Sequence, residues 1–395
     1  MKSRGLKSLA LIIFIVLVGG GFFVLRDFNE EATAEDQLTQ HIDDFLTKRQ
    51  EELLREGNSV DPFAEDNEVK ILLIGLDNRT GQTLGHCDAI QLIEINKETG
   101  NIHITAVPRG TYSPLPYGVA ATTSDYYVSN SCGLVSLEYG IEQIEKILGK
   151  RADYIVVVGF SEVLGILKYL DLPTTPTLQW LRHRQGYAIG EPQRAHNHST
   201  FLKKLFTTYT PKENSALDTS LQYILYKLVK TDLSFEETRV IIQVLSDMKL
   251  NTNPERVSLS MRPAYAVQDI PYDENNLEEY LHTMIDPIKK LLSSSSYSGS
   301  TKEEIEKQIL DKIEKGKDDA EFITWAFENN LWLQIEDEQN SQQIQYDIMT
   351  LYISSLPERA ERMRILTDYI IEMDYRGLSE WSGKAKNILA DELPS

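Results

Sequence analysis

Val69 to Ile74 is an apolar, largely β-branched run interrupted only by Lys70 and closed by Gly75, the pattern of a buried strand. Ala89–Asn96 and Asn101–Val107 predict two more strands, joined at Lys97-Glu98-Thr99-Gly100 as a β-hairpin. Leu137, Ile141, Ile144 and Leu148 recur at helical spacing, so 137–148 predicts an amphipathic helix. Residues 152–160 predict a further buried strand, and 161–170, 200–208 and 219–230 predict helices. Ser234 and Glu237 form a capping-box pair that opens another helix. Strands alternating with helices, one pair of them a hairpin, predict an α/β fold: a mixed central sheet flanked by helices.

Two stretches lie outside that alternation. Ser8 to Leu25 carries no charge over eighteen positions, about 27 Å as a helix and enough for a bilayer core. Lys2, Arg4 and Lys7 precede it and acidic residues follow, which places the N-terminus in the cytoplasm and the bulk of the chain outside. A cleaved signal peptide is the rival reading, but Phe22-Phe23-Val24-Leu25 extend the apolar run beyond Gly19–Gly21. Residues 1–26 are therefore expected to be a cytoplasmic tip and retained transmembrane signal anchor. Residues 27–65 follow as an acidic stalk with a weak helical period through Leu38, Ile42 and Phe45, expected to be a solvated spacer. Residues 66–292 form the α/β domain. Ser293–Ser300 reads as a flexible linker. Residues 301–395 predict several amphipathic helices with boundaries near Gly316, Asn340, Pro357 and Gly377, and a core containing Trp325, Phe327, Leu331 and Trp332.

Charge narrows the function. Sixty acidic against forty basic residues give a net charge of −20, which argues against nucleic acid as a partner. One window departs from this: Gln179 to Lys204 holds five Arg/Lys, one acid and three of the seven histidines. Arg182 and Arg184 would share one face of an extended strand, and Arg194 and His198 one side of a helix. The two pairs are placed to meet a polyanion, or else form a solvated basic rim. A zinc site at His196 and His198 lacks an evident third ligand. Asp77, in Gly75-Leu76-Asp77-Asn78-Arg79, and Asp88, in Gly85-His86-Cys87-Asp88, flank neighbouring strands. They suit a hard cation such as magnesium, or serve as ordinary turn and cap residues. Arg109, in Val107-Pro108-Arg109-Gly110-Thr111, suits a phosphate or a surface acid. Cys87 and Cys132 are too few for a disulfide framework or a four-thiolate zinc site. They read as incidental, with an extracellular disulfide allowed.

In this order the motifs resemble the LytR-CpsA-Psr proteins: G-x-D-x-R after a strand, G-x-x-D before the next, P-R-x-T, R-x-R at 182–184, G-x-x-x-R at 190–194, then Phe201-Leu202. The resemblance covers about residues 66–292 and includes the anchor topology. It implies an α-β-α sandwich that transfers a glycopolymer from a polyprenyl-diphosphate carrier to peptidoglycan or a similar acceptor. A phosphodiester forms and polyprenyl phosphate leaves. It also implies an apolar tunnel for the lipid, Mg2+ held by Asp77 and Asp88, and a diphosphate clamp of Arg79, Arg109, Arg182, Arg184 and Arg194 with His198 beside it. Asp77, Asp88 and Arg109 would be the catalytic group. The chain departs from the family pattern at His86, Gly110, Asn197 and His198, and carries Glu191 in place of an Asp. Two other readings stand beside the transferase: a non-catalytic scaffold that binds polyprenyl-diphosphate glycans, and a polyprenyl-diphosphate hydrolase. The C-terminal helices match nothing in the resemblance. They are expected to pack on the α/β domain, to recruit an envelope protein, or only to stabilise.

Overall fold

The structure, a computed structural model, describes residues 42, 44–51, 61–63, 67–77, 85–183, 187, 189–209, 216–285 and 302–392. The anchor and the Ser-rich linker lie outside the described residues. Among those described, no helix is long and apolar enough to cross a membrane.

Six strands form one sheet: β1 (Glu68–Asp77), β2 (His86–Asn96), β3 (Asn101–Ala106), β4 (Tyr154–Val158), β5 (Lys230–Thr231) and β6 (Val257–Met261), in the order β5-β4-β1-β2-β3-β6. β1 and β2, and β2 and β3, pair antiparallel, whereas β1–β4 and β3–β6 are parallel. The hairpin thus sits inside a mixed sheet, as its sequence predicts. Gly100 takes the positive φ that its turn requires. β2 is buried on both faces from Cys87 to Ile95, which explains why its sequence lacks apolar–polar alternation.

Helices cover both faces. On one lie α2 (Val128–Leu134) and α3 (Leu137–Leu148), with Ile141, Ile144 and Leu148 packed beside Leu72, Ile74, Ile90 and Leu92. Helical residues 44–51, here α1, join this layer. Ile42 and Leu46 are buried in the same cluster, and Arg49 donates to Asp232 Oδ2 at 2.7 Å and to the Asp153 carbonyl at 3.1 Å. This part of the expected spacer is docked rather than solvated. Its i, i+4 apolar pair is buried and Arg49 is drawn inward by Asp232, while Asp44, Lys48 and Glu51 stay exposed.

The other face carries α4 (Phe160–Tyr169), α5 (Thr174–Arg182), α6 (Gly190–Tyr209), α7 (Ala216–Lys227), α8 (Phe235–Asp247) and α9 (Leu277–Ile285). Trp180, Phe201, Leu202 and Phe206 fill the space between these helices and the sheet. α8 opens on the predicted box: Ser234 accepts from Glu237 N, and Glu237 accepts from Ser234 N.

The C-terminal segment folds as α10 (Lys302–Gly316), α11 (Ala320–Glu328), α12 (Glu338–Ser355), α13 (Arg359–Tyr375) and α14 (Ser379–Glu392). Its own core includes Trp325, Leu331 and Trp332, with the Phe327 ring stacked on Tyr352 at 4.2 Å. The unit docks on α4 and α7. Lys168 Nζ donates to the carbonyls of Leu333 (2.7 Å) and Ile335 (2.6 Å), Tyr169 to Glu372, Thr174 to Glu336 and Tyr223 to Asp368. A side chain at Gly165 would lie 2.6 Å from Leu333 Cδ1, so a glycine is what permits this close approach.

Candidate functional site

Strand direction gathers the chemistry at one end of the sheet. The C-terminal ends of β1, β3, β4 and β6 and the N-terminal end of β2 share one edge. Asp77, Asp88, Arg109 and Arg262 belong to those ends. The backbone register sets Asp77 opposite His86, two residues before Asp88.

A β-bulge shapes this edge. Gly75 pairs with Ala89 and Leu76 with Cys87, so Asp88 is the extra residue on β2. Without it, Cys87 would face the same side as Ala89 and Gln91. With it, Cys87 joins Ile90 and Leu92 on the α2–α3 face and forms a disulfide with Cys132, Cα atoms 5.9 Å apart. The cysteines are therefore not incidental. Gly140 of α3 passes so close to Cys132 that a side chain there would collide with the sulfur. Asp88 itself is buried, and its Oδ1 accepts from Arg109 Nη1 in a direct ion pair. The Arg109 carbonyl accepts from Ser129 N at 3.1 Å, which fixes the arginine backbone to the start of α2.

α6 is seated above by buried polar bonds. Gln91 Nε2 donates to the Ala195 carbonyl (3.1 Å), and Ser199 Oγ donates to Gln91 Oε1 (2.6 Å). Ala195 packs on Ala106 and Met261, so the first turns of α6 rest on the ends of β3 and β6. Arg194 is buried in this region and pairs with Glu191 Oε2 at 3.0 Å. The helix N-terminus and a buried guanidinium then lie at the same edge as Arg109, an arrangement that favours anions.

Arg194 and His198 occur on one helix, as their spacing predicts, but they bring different chemistry. His198 is buried, and its Nε2 donates to the Leu181 carbonyl at 2.8 Å. Burial, with Arg194 nearby, pushes its pKa down to about 3, so it is neutral at physiological pH. It contributes a hydrogen-bonding edge and no charge. Arg182 is the last residue of α5 and half-buried, not part of an extended strand, so the shared-face argument for it and Arg184 does not apply. Buried Trp180 and Leu181 carry the helix through this position. His196 turns to Asp269 (2.6 Å), away from His198's partner, so the two histidines do not aim at one ion. Asn197, one of the departures, is held by Gln193 (2.9 Å) and Tyr187 (3.0 Å). Arg79, Arg184 and the Asp77 side chain lie outside the described residues.

Sequence reasoning passed over Arg262, an exposed cation at the end of β6 whose amide donates to Ala106 O at 2.8 Å. Its signal was available: Met261-Arg262-Pro263 closes β6 much as Val107-Pro108-Arg109 follows β3. Between the sheet and the helices of its second face, Trp180, Phe201 and Tyr272 pack together with ring centroids 4.6–6.5 Å apart. A cavity of about 540 Å³ lies elsewhere, between α7 and the C-terminal helices.

The model of the LytR_cpsA_psr family matches residues 30–166, a stretch that includes the Asp88–Arg109 pair. Over that stretch the chain is similar to the LytR-CpsA-Psr family. The polyisoprenyl-teichoic acid–peptidoglycan teichoic acid transferase TagU of Bacillus mycoides is 22% identical over 260 residues, which is 64% of this chain and 79% of TagU. The TagU protein of Oceanobacillus iheyensis is 31% identical over 107 residues, 27% of this chain and 31% of its own length. Among solved structures, Bacillus subtilis TagV aligns over 57% of this chain and 98% of its own at 13% identity, with a TM-score of 0.42. Against that LytR-CpsA-Psr background the C-terminal helical unit falls outside the stretch that the family model matches.

Proposed function

We propose that this chain transfers a glycopolymer from a polyprenyl-diphosphate carrier to a peptidoglycan-type acceptor at the outer face of the membrane. The observation that carries this reading is the buried Asp88–Arg109 pair on the bulged strand end, with the α6 N-terminus and Arg194 above it. The names of the TagU relatives support it. The chemistry asks little else of a protein: phosphoryl transfer needs charge neutralisation and in-line positioning more than covalent partners. Arg109, with Arg194 and Arg182, would hold the diphosphate. An acceptor hydroxyl attacks the glycan-bearing phosphorus, and its proton passes to a carboxylate, with Asp88 the buried candidate. The bond to the lipid-side phosphate breaks and polyprenyl phosphate departs.

Asp77 and Asp88, carboxylates on adjoining strand ends, are an all-oxygen donor pair of the kind Mg2+ accepts while keeping waters and substrate phosphates as its other ligands. A bound Mg2+ would supply further neutralisation of the diphosphate. The anchor at 8–25 would keep the domain beside its lipid substrate, and the Cys87–Cys132 disulfide suits an oxidising exterior.

The test is release of polyprenyl monophosphate by the full chain in nanodiscs, given a polyprenyl-diphosphate glycan, peptidoglycan acceptor and Mg2+. Arg109→Ala and Asp88→Asn should each lower turnover about 100-fold, and EDTA should abolish it. Donor binding with no release would instead mark the scaffold reading, and release without an acceptor the hydrolase. A side chain at Gly110 would meet open space, so packing does not exclude the acid that the family pattern carries there. If the site is a crippled transferase, Gly110→Asp raises turnover. If it is active as it stands, that change alters the rate little.

A further inference from the structure

Between Arg109 and α2 the chain runs through a strap, Thr111–Tyr127, that leaves large rings in water. Tyr112 is 68% exposed, Tyr127 43% and Tyr126 37%, while Tyr117 is fully exposed. Aromatic surface of this extent is costly to leave uncovered, and its clustering beside a site is informative in a way that scattered apolar residues are not. The Tyr112 and Tyr126 rings lie nearly parallel, 18° apart with centroids at 6.1 Å.

The strap is fixed at its base. Val128 N donates to Thr111 O (2.8 Å), Ser113 N to Tyr126 O (2.9 Å), and Tyr112 and Tyr127 form a β-bridge. Ser113 and Ser131 hydroxyls bond at 2.7 Å beneath it. Its tip is closed by Asp125, which accepts from the amides of Ala121 and Thr122 at 2.7 Å each. Those bonds hold the Asp125 carboxyl below its ordinary pKa, so it is engaged inward and not poised as a free ligand. One stem of the strap begins at Arg109. The other runs into α2, whose Cys132 is bonded to the neighbour of Asp88. The rings are thus held on rigid stems next to the pair that would meet the diphosphate.

Composition selects the occupant. From Gly110 to Gly133 there is no Lys or Arg, and the polar residues are Ser, Thr and Asn with Asp125. A surface that docks on an anionic bilayer uses basic residues among its aromatics, and none is present. Tyrosine faces with hydroxyl and amide neighbours, held at low entropic cost, are what stack on the C–H faces of pyranose rings while hydrogen-bonding their hydroxyls. We infer that the Tyr112–Tyr126 pair of this strap is a saccharide-binding platform that receives the acceptor glycan beside Arg109. The assignment of the glycan as acceptor rests on the transfer reading above.

The test uses the full chain in zwitterionic nanodiscs, titrated with a soluble N-acetylglucosamine–N-acetylmuramic acid tetrasaccharide. The binding constant is read by saturation-transfer NMR. Tyr112→Ala should weaken binding about tenfold and Tyr112→Phe, which keeps the ring face, by less than about twofold. In the transfer assay the loss from Tyr112→Ala should fall on the acceptor KM and not on kcat. Leu351→Ala, an exposed apolar residue of the C-terminal unit, serves as the control. Wild-type affinity in the Tyr112→Ala/Tyr126→Ala double variant overturns the proposal. So does a double variant that loses only its binding to phosphatidylglycerol vesicles, which would make the strap a membrane contact. If the chain shows no transfer yet Tyr112→Ala still loses the tetrasaccharide, the transfer reading fails and the platform stands.

Discussion

His198 shows how a residue's type and its role separate on folding. On a helix one turn beyond Arg194 it reads as a second cation, yet burial makes it neutral and commits Nε2 to Leu181 O. Its pKa falls from 6.5 to about 3 in the folded chain, so between those values the unfolded chain binds a proton that the folded one refuses. Its contribution to stability is complete above pH 6.5 and declines as pH falls towards 3. His198→Gln removes that dependence. In urea unfolding, the stability gap between wild type and variant should shift by about 2 kcal/mol in the variant's favour from pH 7 to pH 4.5. A gap that does not change with pH would show that His198 titrates normally. Asp88 was legible as a candidate because a carboxylate beside a strand end is a simple pattern. Its pairing with Arg109 was not, because that contact depends on a bulge one residue long.

Elements carry the next level. The β2–β3 hairpin was readable because four turn residues separate two apolar runs, and local pattern decides such a pair. The Cys87–Cys132 bond was not readable. It spans 45 residues and needs the Asp88 bulge to turn Cys87 to the α2 face. Closing that loop should contribute about 3–4 kcal/mol through the unfolded state. Cys87→Ser/Cys132→Ser, or reduction of the wild type, should lower stability by up to that amount in a urea melt. It should also raise amide exchange selectively in α2 and the tyrosine strap. Uniform exchange across the sheet would show that the disulfide does not pin the strap. Arg182 carries the same lesson from the other side. A sequence rich in charge reads as an extended rim, but α5 continues through it because Trp180 and Leu181 are buried.

At the scale of the whole molecule, the C-terminal helices settle against the α/β domain through polar anchors around an apolar seam. Lys168 is central, because its ammonium caps two carbonyls at the end of the 331–334 turn and burial lowers its pKa from the ordinary lysine value. Lys168→Met keeps the stem and removes both bonds, which should cost about 2 kcal/mol. Limited proteolysis should then cleave the C-terminal unit sooner. Unchanged cleavage would mean that Leu333 packing at Gly165 alone sustains the docking. The net charge of −20 argues against nucleic acid on average, but it conceals a basic stretch that folding divides among α5, α6 and a part outside the described residues.

The sequence by itself determined the alternation of elements, the hairpin, the capped start of α8 and the helical C-terminal segment. These depend on periodicity and turn chemistry within a few residues of each other. Its ordered motifs also determined the LytR-CpsA-Psr resemblance. Only the tertiary structure decided that Ile42 and Leu46 dock, that Cys87 meets Cys132, that His198 is uncharged and that Arg262 shares the edge of Arg109. Each of these depends on which face a residue presents and what covers it. A single bulge or a buried neighbour changes both without altering the local pattern.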